Sequence, residues 1–122
     1  MMKKIVFFAL YAVAGCVEMV PVASVPISAP QRVYDSARQF LAYDFKDPSS
    51  ATFRAERAYK LANGEYGICG EVNGKNSFGA FVGFKPYYVR ISANGQGKSK
   101  QIETMAEFGC NQLASGTINL AK

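Results

Sequence analysis

Histidine is absent from this chain. Without an imidazole there is no Ser-His-Asp triad, no Cys-His nucleophile and no histidine-bound zinc. Cysteine is scarce as well: Cys16, Cys69 and Cys110 are the only thiols, and no two form a Cys-x-x-Cys pair. No metal centre and no cofactor site is expected from that inventory. Long apolar runs are missing. The longest covers residues 5–17 and is stopped by Glu18, whereas a membrane-spanning helix takes about 20 such residues. There is also no basic block. The 14 lysines and arginines outnumber the 9 aspartates and glutamates, but they are spread along the sequence without aromatic interleaving, so nucleic-acid binding has little electrostatic footing.

What is present begins at the N-terminus. Lys3 and Lys4 precede the apolar run Ile5 to Ala14, and Val13-Ala14-Gly15-Cys16 closes it. A positive start, a short apolar stretch and small residues before a cleavage point describe an export signal. The cysteine directly after Val-Ala-Gly makes the segment resemble the lipobox of bacterial lipoproteins. That resemblance implies a diacylglycerol group on the Cys16 thiol, removal of residues 1–15, and Cys16 as the mature N-terminus. Acyl chains hold a protein by about 0.8 kcal/mol per buried methylene, and more than one chain makes the anchoring stable. In lipoproteins of this type Asp after the cysteine goes with retention in the inner membrane. Here the residue is Val17, so the resemblance points to the outer membrane.

Loss of Lys3 and Lys4 with the signal leaves 12 of the 14 basic residues against 9 acidic ones, a mild excess. Residues 31–122 have room for one domain, which buries a modest core and gains from a covalent staple. With Cys16 lipidated, Cys69 and Cys110 are the remaining thiols, and an exported compartment is oxidising. They are expected to form a disulfide. Their separation is 41 positions, and closing such a loop stabilises a fold by roughly 4 kcal/mol in the chain-entropy account.

Residues 16–30 read as the lipidated terminus and a tether. Pro21, Pro26 and Pro30 alternate with Val, Ala and Ser, which favours extended polyproline-like backbone. The segment is apolar for a linker, so standing away from the domain, lying along it and lying along a partner all stay open. A helix is predicted over residues 31–46, because Val33, Ala37, Phe40, Leu41 and Asp44 or Phe45 share one face while Arg32, Asp35, Arg38 and Gln39 occupy the other. Pro30 suits its first turn. Asp47-Pro48 ends it, and Asp47 is placed to cap a second short turn through Ser50.

Asn63-Gly64 between two alternating segments predicts a two-residue hairpin. That register sets Leu61 opposite Tyr66, Tyr59 opposite Ile68 and Ala55 opposite Val72, all apolar pairs. The other face then carries Arg54, Glu56, Ala58 and Lys60 against Glu65, Gly67, Cys69 and Glu71. In this register Glu56 faces Glu71, the one carboxylate pair that suggests acid-base or glycosidic chemistry. Arg54 and Lys60 lie near enough to compensate both, so a solvated polar face is the expectation. The segment holding Cys110 must approach from the face of Cys69.

A third strand is predicted over residues 78–91, with Gly79 and Gly83 beside Phe81 and with an edge or a break at Pro86. Asn94-Gly95-Gln96-Gly97 reads as a turn or flexible loop. Ile102, Met105, Ala106, Gly109, Cys110 and Leu113 make a final helical stripe, after which residues beyond Ser115 are expected to fray. The fold class is therefore α+β: a small antiparallel sheet of three to four strands, an N-terminal helix, a C-terminal helix and one disulfide.

The segments 47–54, 69–73, 75–79 and 82–84 resemble a group of small uncharacterised bacterial and prophage-borne proteins, many with lipoprotein signals. The likeness spans about residues 47–90 and draws attention to the loop Asn73, Lys75, Asn76, Ser77 and Phe78. Its amide and ammonium donors beside aromatics suit carbohydrate, peptide or an acidic protein surface. The same Asn and Gly residues also serve to satisfy a hairpin's backbone. The leading expectation is a non-enzymatic cell-envelope lipoprotein, attached to the membrane by its lipid, that contacts an envelope protein or peptidoglycan through this loop and a sheet edge. The alternative is an inhibitor or exclusion factor acting on a lysozyme or a phage receptor.

Overall fold

Residues 31–42 alternate apolar and polar side chains at helical spacing, and they form α1 (Gln31–Ala42), which buries Val33, Ala37 and Leu41. A computed structural model describes residues 17–75, 79 and 81–122. Its described residues form two helices, a short 3-10 turn at Pro48–Ser50 and one antiparallel sheet. The strands are β1 (Met19–Ile27), β2 (Thr52–Leu61), β3 (Tyr66–Asn73), β4 (Lys85–Ile91), β5 (Gly97–Ile102) and β6 (Thr117–Ala121), and α2 (Thr104–Ser115) precedes the last. They lie in the order β5-β4-β3-β2-β1-β6.

The α+β class, the two helices and the disulfide stand, but the sheet has 6 strands where three to four were expected. It is curled into a half-barrel. On one face α1 packs over Ile68, Val72, Tyr87, Val89 and Ile91. On the other, α2 lies against Tyr59, Leu61, Cys69, Tyr88 and Ile118. A sheet buried on both faces needs apolar residues at successive positions. Ile68-Cys69 and Tyr87-Tyr88-Val89 supply them.

That double burial explains the hairpin. The observed register is Ala58 with Ile68 and Tyr59 with Gly67, one residue away from the expected pairing. The loop holds three residues, with Gly64 at φ 94° in the left-handed region that closes a bulged turn. The Leu61 carbonyl accepts the Gly64 amide at 2.9 Å, and the Leu61 amide donates to the Glu65 carbonyl at 2.9 Å. Ala58 and Ile68 face α1 while Tyr59, over Gly67, faces α2, so both faces bury apolar residues and side-chain alternation does not fix the register. A bulge between Arg54 and Arg57 then restores the alternation, with Ala55 at φ 56°.

Of the dispositions open to residues 16–30, the described part lies along the domain. Met19–Ile27 is a strand between β2 and β6, not a tether. Nor does the C-terminus fray. Residues 117–121 pair with β1, Thr117 against Ala23 and Ala121 against Met19. Three further expectations are corrected. The first helix ends at Ala42 and not at residue 46; the third strand begins at Lys85, with Pro86 near its start where a missing amide costs little; and Gly97, read as loop, opens β5. Asp47 holds its short turn through its carbonyl, which accepts the Ser50 amide at 3.0 Å, while its carboxylate accepts the Ser49 hydroxyl at 2.8 Å.

Gly109 has a packing reason. A Cβ there would stand 2.8 Å from the Tyr88 ring, so glycine lets α2 sit close on the sheet despite its low helix propensity. Next to it Cys110 bonds Cys69 across a Cα separation of 5.9 Å, tying α2 to the middle of β3. Met105, placed on the buried stripe by its spacing, is exposed.

Candidate functional site

An open, largely apolar groove lies where the chain leaves α1 and where β3, β4 and β5 present their ends. Its floor is Phe45, Val72, Val82 and Ile102, and its volume is about 320 Å³. Lys46, Lys75 and Lys85 stand at its rim. Three separate segments supply those ammonium groups, so no single stretch of sequence displays the cluster. Lys85 pairs with Glu103 at 3.3 Å, and the Lys75 ammonium lies 5.4 Å from the centre of the Phe81 ring. Among the described residues Lys46 and Lys75 make no ion pair. A positive rim around an apolar floor suits a ligand that joins an anionic group to a small apolar one.

The predicted loop contributes to this groove unevenly. The Lys75 side chain is on it, and its backbone is fixed by donation of the Lys75 amide to the Ser50 hydroxyl at 3.2 Å. Asn73 is structural: its Oδ1 accepts the Gly83 amide at 3.0 Å, which closes the loop at its base. Asn76, Ser77 and Phe78 lie outside the described residues, as does Cys16. No family model, no curated protein and no solved structure matches this chain. Sequence reasoning missed Lys46, Val82, Lys85 and Ile102 in the groove, because each belongs to a different element and only folding brings them together.

The carboxylate pair expected in β2 and β3 does not form. Arg54, not Glu56, stands opposite Glu71, and its guanidinium meets that carboxylate at 2.7 Å. Glu56 sits on the bulge and turns to the α1 face. There it accepts the Tyr87 hydroxyl at 2.5 Å and takes two donors from Arg38, Nε at 3.0 Å and a close Nη2 contact. Its side chain is only 9% exposed. Phe53 covers the group edge-on to Tyr87, with ring centres 5.8 Å apart, and the Arg38 guanidinium lies 5.5 Å from the Phe53 ring centre.

Burial, and then the hydrogen bond to Glu56, raise the Tyr87 pKa well above the ordinary phenol value. The hydrogen bond and charge of Glu56 likewise raise that of Arg38. Both Glu56 oxygens are thus engaged by neighbours that stay protonated at neutral pH. The trio is a satisfied polar network between α1 and the sheet, not an exposed acid or base.

Proposed function

We propose that the protein is a non-enzymatic lipoprotein of the cell envelope, held in the outer membrane through acyl groups on Cys16, whose domain binds another envelope protein at the lysine-rimmed groove. The observation that carries the binding reading is the groove itself: Lys46, Lys75 and Lys85 around a floor of Phe45, Val72, Val82 and Ile102. The partner segment is one that places an aspartate or glutamate beside an aliphatic or aromatic side chain. Its apolar group fills the floor and its carboxylate meets the rim. Ile102 is the last residue of β5, an edge strand, so the groove continues onto unpaired backbone along which an extended segment gains main-chain hydrogen bonds.

Two features support the location. Val13-Ala14-Gly15-Cys16 follows the apolar run and its two lysines, and the Cys69–Cys110 disulfide is a bond that persists in oxidising compartments. The test is crosslinking in the native cell from a photoreactive residue at Val82, an exposed position on the floor, in otherwise unaltered protein and in a Lys46→Glu, Lys75→Glu variant. Loss of the crosslinked product with an unchanged melting temperature is expected. An identical product in the charge-reversed variant removes the groove from the function. In parallel, Cys16→Ser protein is expected in the salt-washed soluble fraction, and its persistence on membranes refutes the lipid anchor.

A further inference from the structure

The first residues of the described chain are pinned. The Glu18 carbonyl accepts the Lys122 amide at 2.9 Å, the two side chains pair at 3.4 Å, and Met19 pairs with Ala121. Only Val17 separates this fixed point from Cys16 and the apolar run before it. Two residues of extended chain reach about 7 Å. Whatever holds Cys16 at a membrane therefore holds this corner of the domain at the same surface.

Exposed apolar side chains gather near this corner. Met105 is 55% and Phe108 59% exposed on α2; Met19 (55%) is exposed on the other face of β1, since Val22 and Ser24 are the residues that face α2, and Val17 just before it is 70% exposed. Met105 and Phe108 project from the outer side of α2 into a groove that Leu120 and Ala121 of β6 also line, and Ala121 is the partner of Met19. The charges nearby are removed or neutralised. Glu107, between the two in sequence, faces the opposite side of α2, beside Arg57 and Cys110; Arg90 at the back of the groove is paired with Glu65 at 2.6 Å; and Gln101, Gln112 and Asn119 are uncharged.

We propose that this corner, with Phe108 and Met105 leading, is seated in the lipid interface, so that the domain lies on the bilayer in one orientation and does not swing from its anchor. This rests on membrane attachment at the N-terminus but not on the partner groove. Phe and Met on the outer side of a helix, beside an edge strand and within reach of an acyl anchor, fit the interfacial region, where apolar side chains enter roughly 5 to 10 Å. A chain restrained this closely loses little further freedom when these residues insert, so a small apolar area is enough to fix the orientation.

The chain has no tryptophan, which provides the experiment. Full-length Phe108→Trp protein is extracted from membranes and returned to phosphatidylethanolamine–phosphatidylglycerol vesicles with brominated acyl chains. Tyr43→Trp protein is the reference, because Tyr43 is 79% exposed and follows α1 on the other face of the sheet. The expected result is emission from Phe108→Trp quenched at least about twofold more than that from Tyr43→Trp, as interfacial insertion requires. Equal quenching at the two sites overturns the proposal. So does a blue-shifted but unquenched Phe108→Trp signal, which would mean that protein covers the face. Mass spectrometry of the same preparation reads the acyl groups on Cys16 separately, so an error in the anchor and an error in the seating are told apart.

Discussion

Glu56 of β2 and Tyr87 of β4 meet at 2.5 Å above Gly70 of the intervening β3, although 31 positions separate them. Alternation with Ala58 places Glu56 on the side of α1, and the bulge at Ala55 turns Arg54 to the opposite face, where it meets Glu71. Truncating Glu56 leaves the Tyr87 hydroxyl buried without an acceptor, while Arg38, 35% exposed, turns to water. Glu56→Ala is therefore expected to cost about 1–3 kcal/mol in urea unfolding. In a double-mutant cycle the addition of Tyr87→Phe is expected to recover part of that loss, since it removes the orphaned hydroxyl. Strictly additive costs would mean that the two groups are not coupled.

The same pair sets a pH dependence. The fold raises the Tyr87 pKa above 10.0, so it favours the protonated phenol. That contribution is complete below about pH 10 and is lost as pH climbs toward the folded value. Stability measured from about pH 8 to about pH 11 is expected to fall less steeply in Tyr87→Phe than in the unaltered protein. Tyr88, also raised by burial, leaves part of the alkaline loss in both.

Gly70 lies under the bulge. A Cβ there would stand 2.9 Å from Glu56 Cγ, 3.0 Å from the Tyr87 ring and 3.1 Å from the Arg54 carbonyl oxygen. The backbone contact cannot relax by a rotamer change, so Gly70→Ala is expected to destabilise by about 1–3 kcal/mol. At Ala55 the sign reverses. Its φ of 56° carries a cost of about 1–2 kcal/mol that glycine avoids, and Ala55→Gly is expected to leave stability equal or higher in equilibrium unfolding. A loss there would mean that the bulge is not strained.

Removing the staple tests how far a small double-faced sheet depends on it. Cys69→Ala with Cys110→Ala opens a loop of 41 positions, and the midpoint of denaturation is expected to fall by the equivalent of roughly 4 kcal/mol. Reducing the unaltered protein before unfolding is expected to reproduce most of that loss, and a much smaller shift would mean that α2 is held by packing alone.

Much of the fold was legible because local chemistry announces it. Residues 31–42 carry a 3.6-residue apolar period, Asn63-Gly64 marks a turn, and the stripe around Ala106, Gly109 and Leu113 marks a helix. Other elements left weak signals. Pro21 and Pro26 in β1 argue against a strand, yet the strand pairs with β2 over residues 24–27 and with β6 over residues 19–23. β5 reads Gly-Lys-Ser-Lys-Gln-Ile, a polar edge strand without apolar alternation. Of the described residues of the loop expected to bind, only Lys75 lines the groove, and the groove's other lysines come from elsewhere in the chain.

Composition and order alone determined the lack of imidazole chemistry, the two-helix α+β class and the pairing of Cys69 with Cys110, because each depends on residue identity, on short spacing or on elimination. Only the tertiary structure decided the hairpin register, the parting of Glu56 from Glu71 and the meeting of Lys46, Lys75 and Lys85 around one apolar floor. A sheet covered on both faces accepts apolar residues at every position, so alternation no longer tells the two sides apart. It takes α1 on one side and α2 on the other to choose between them.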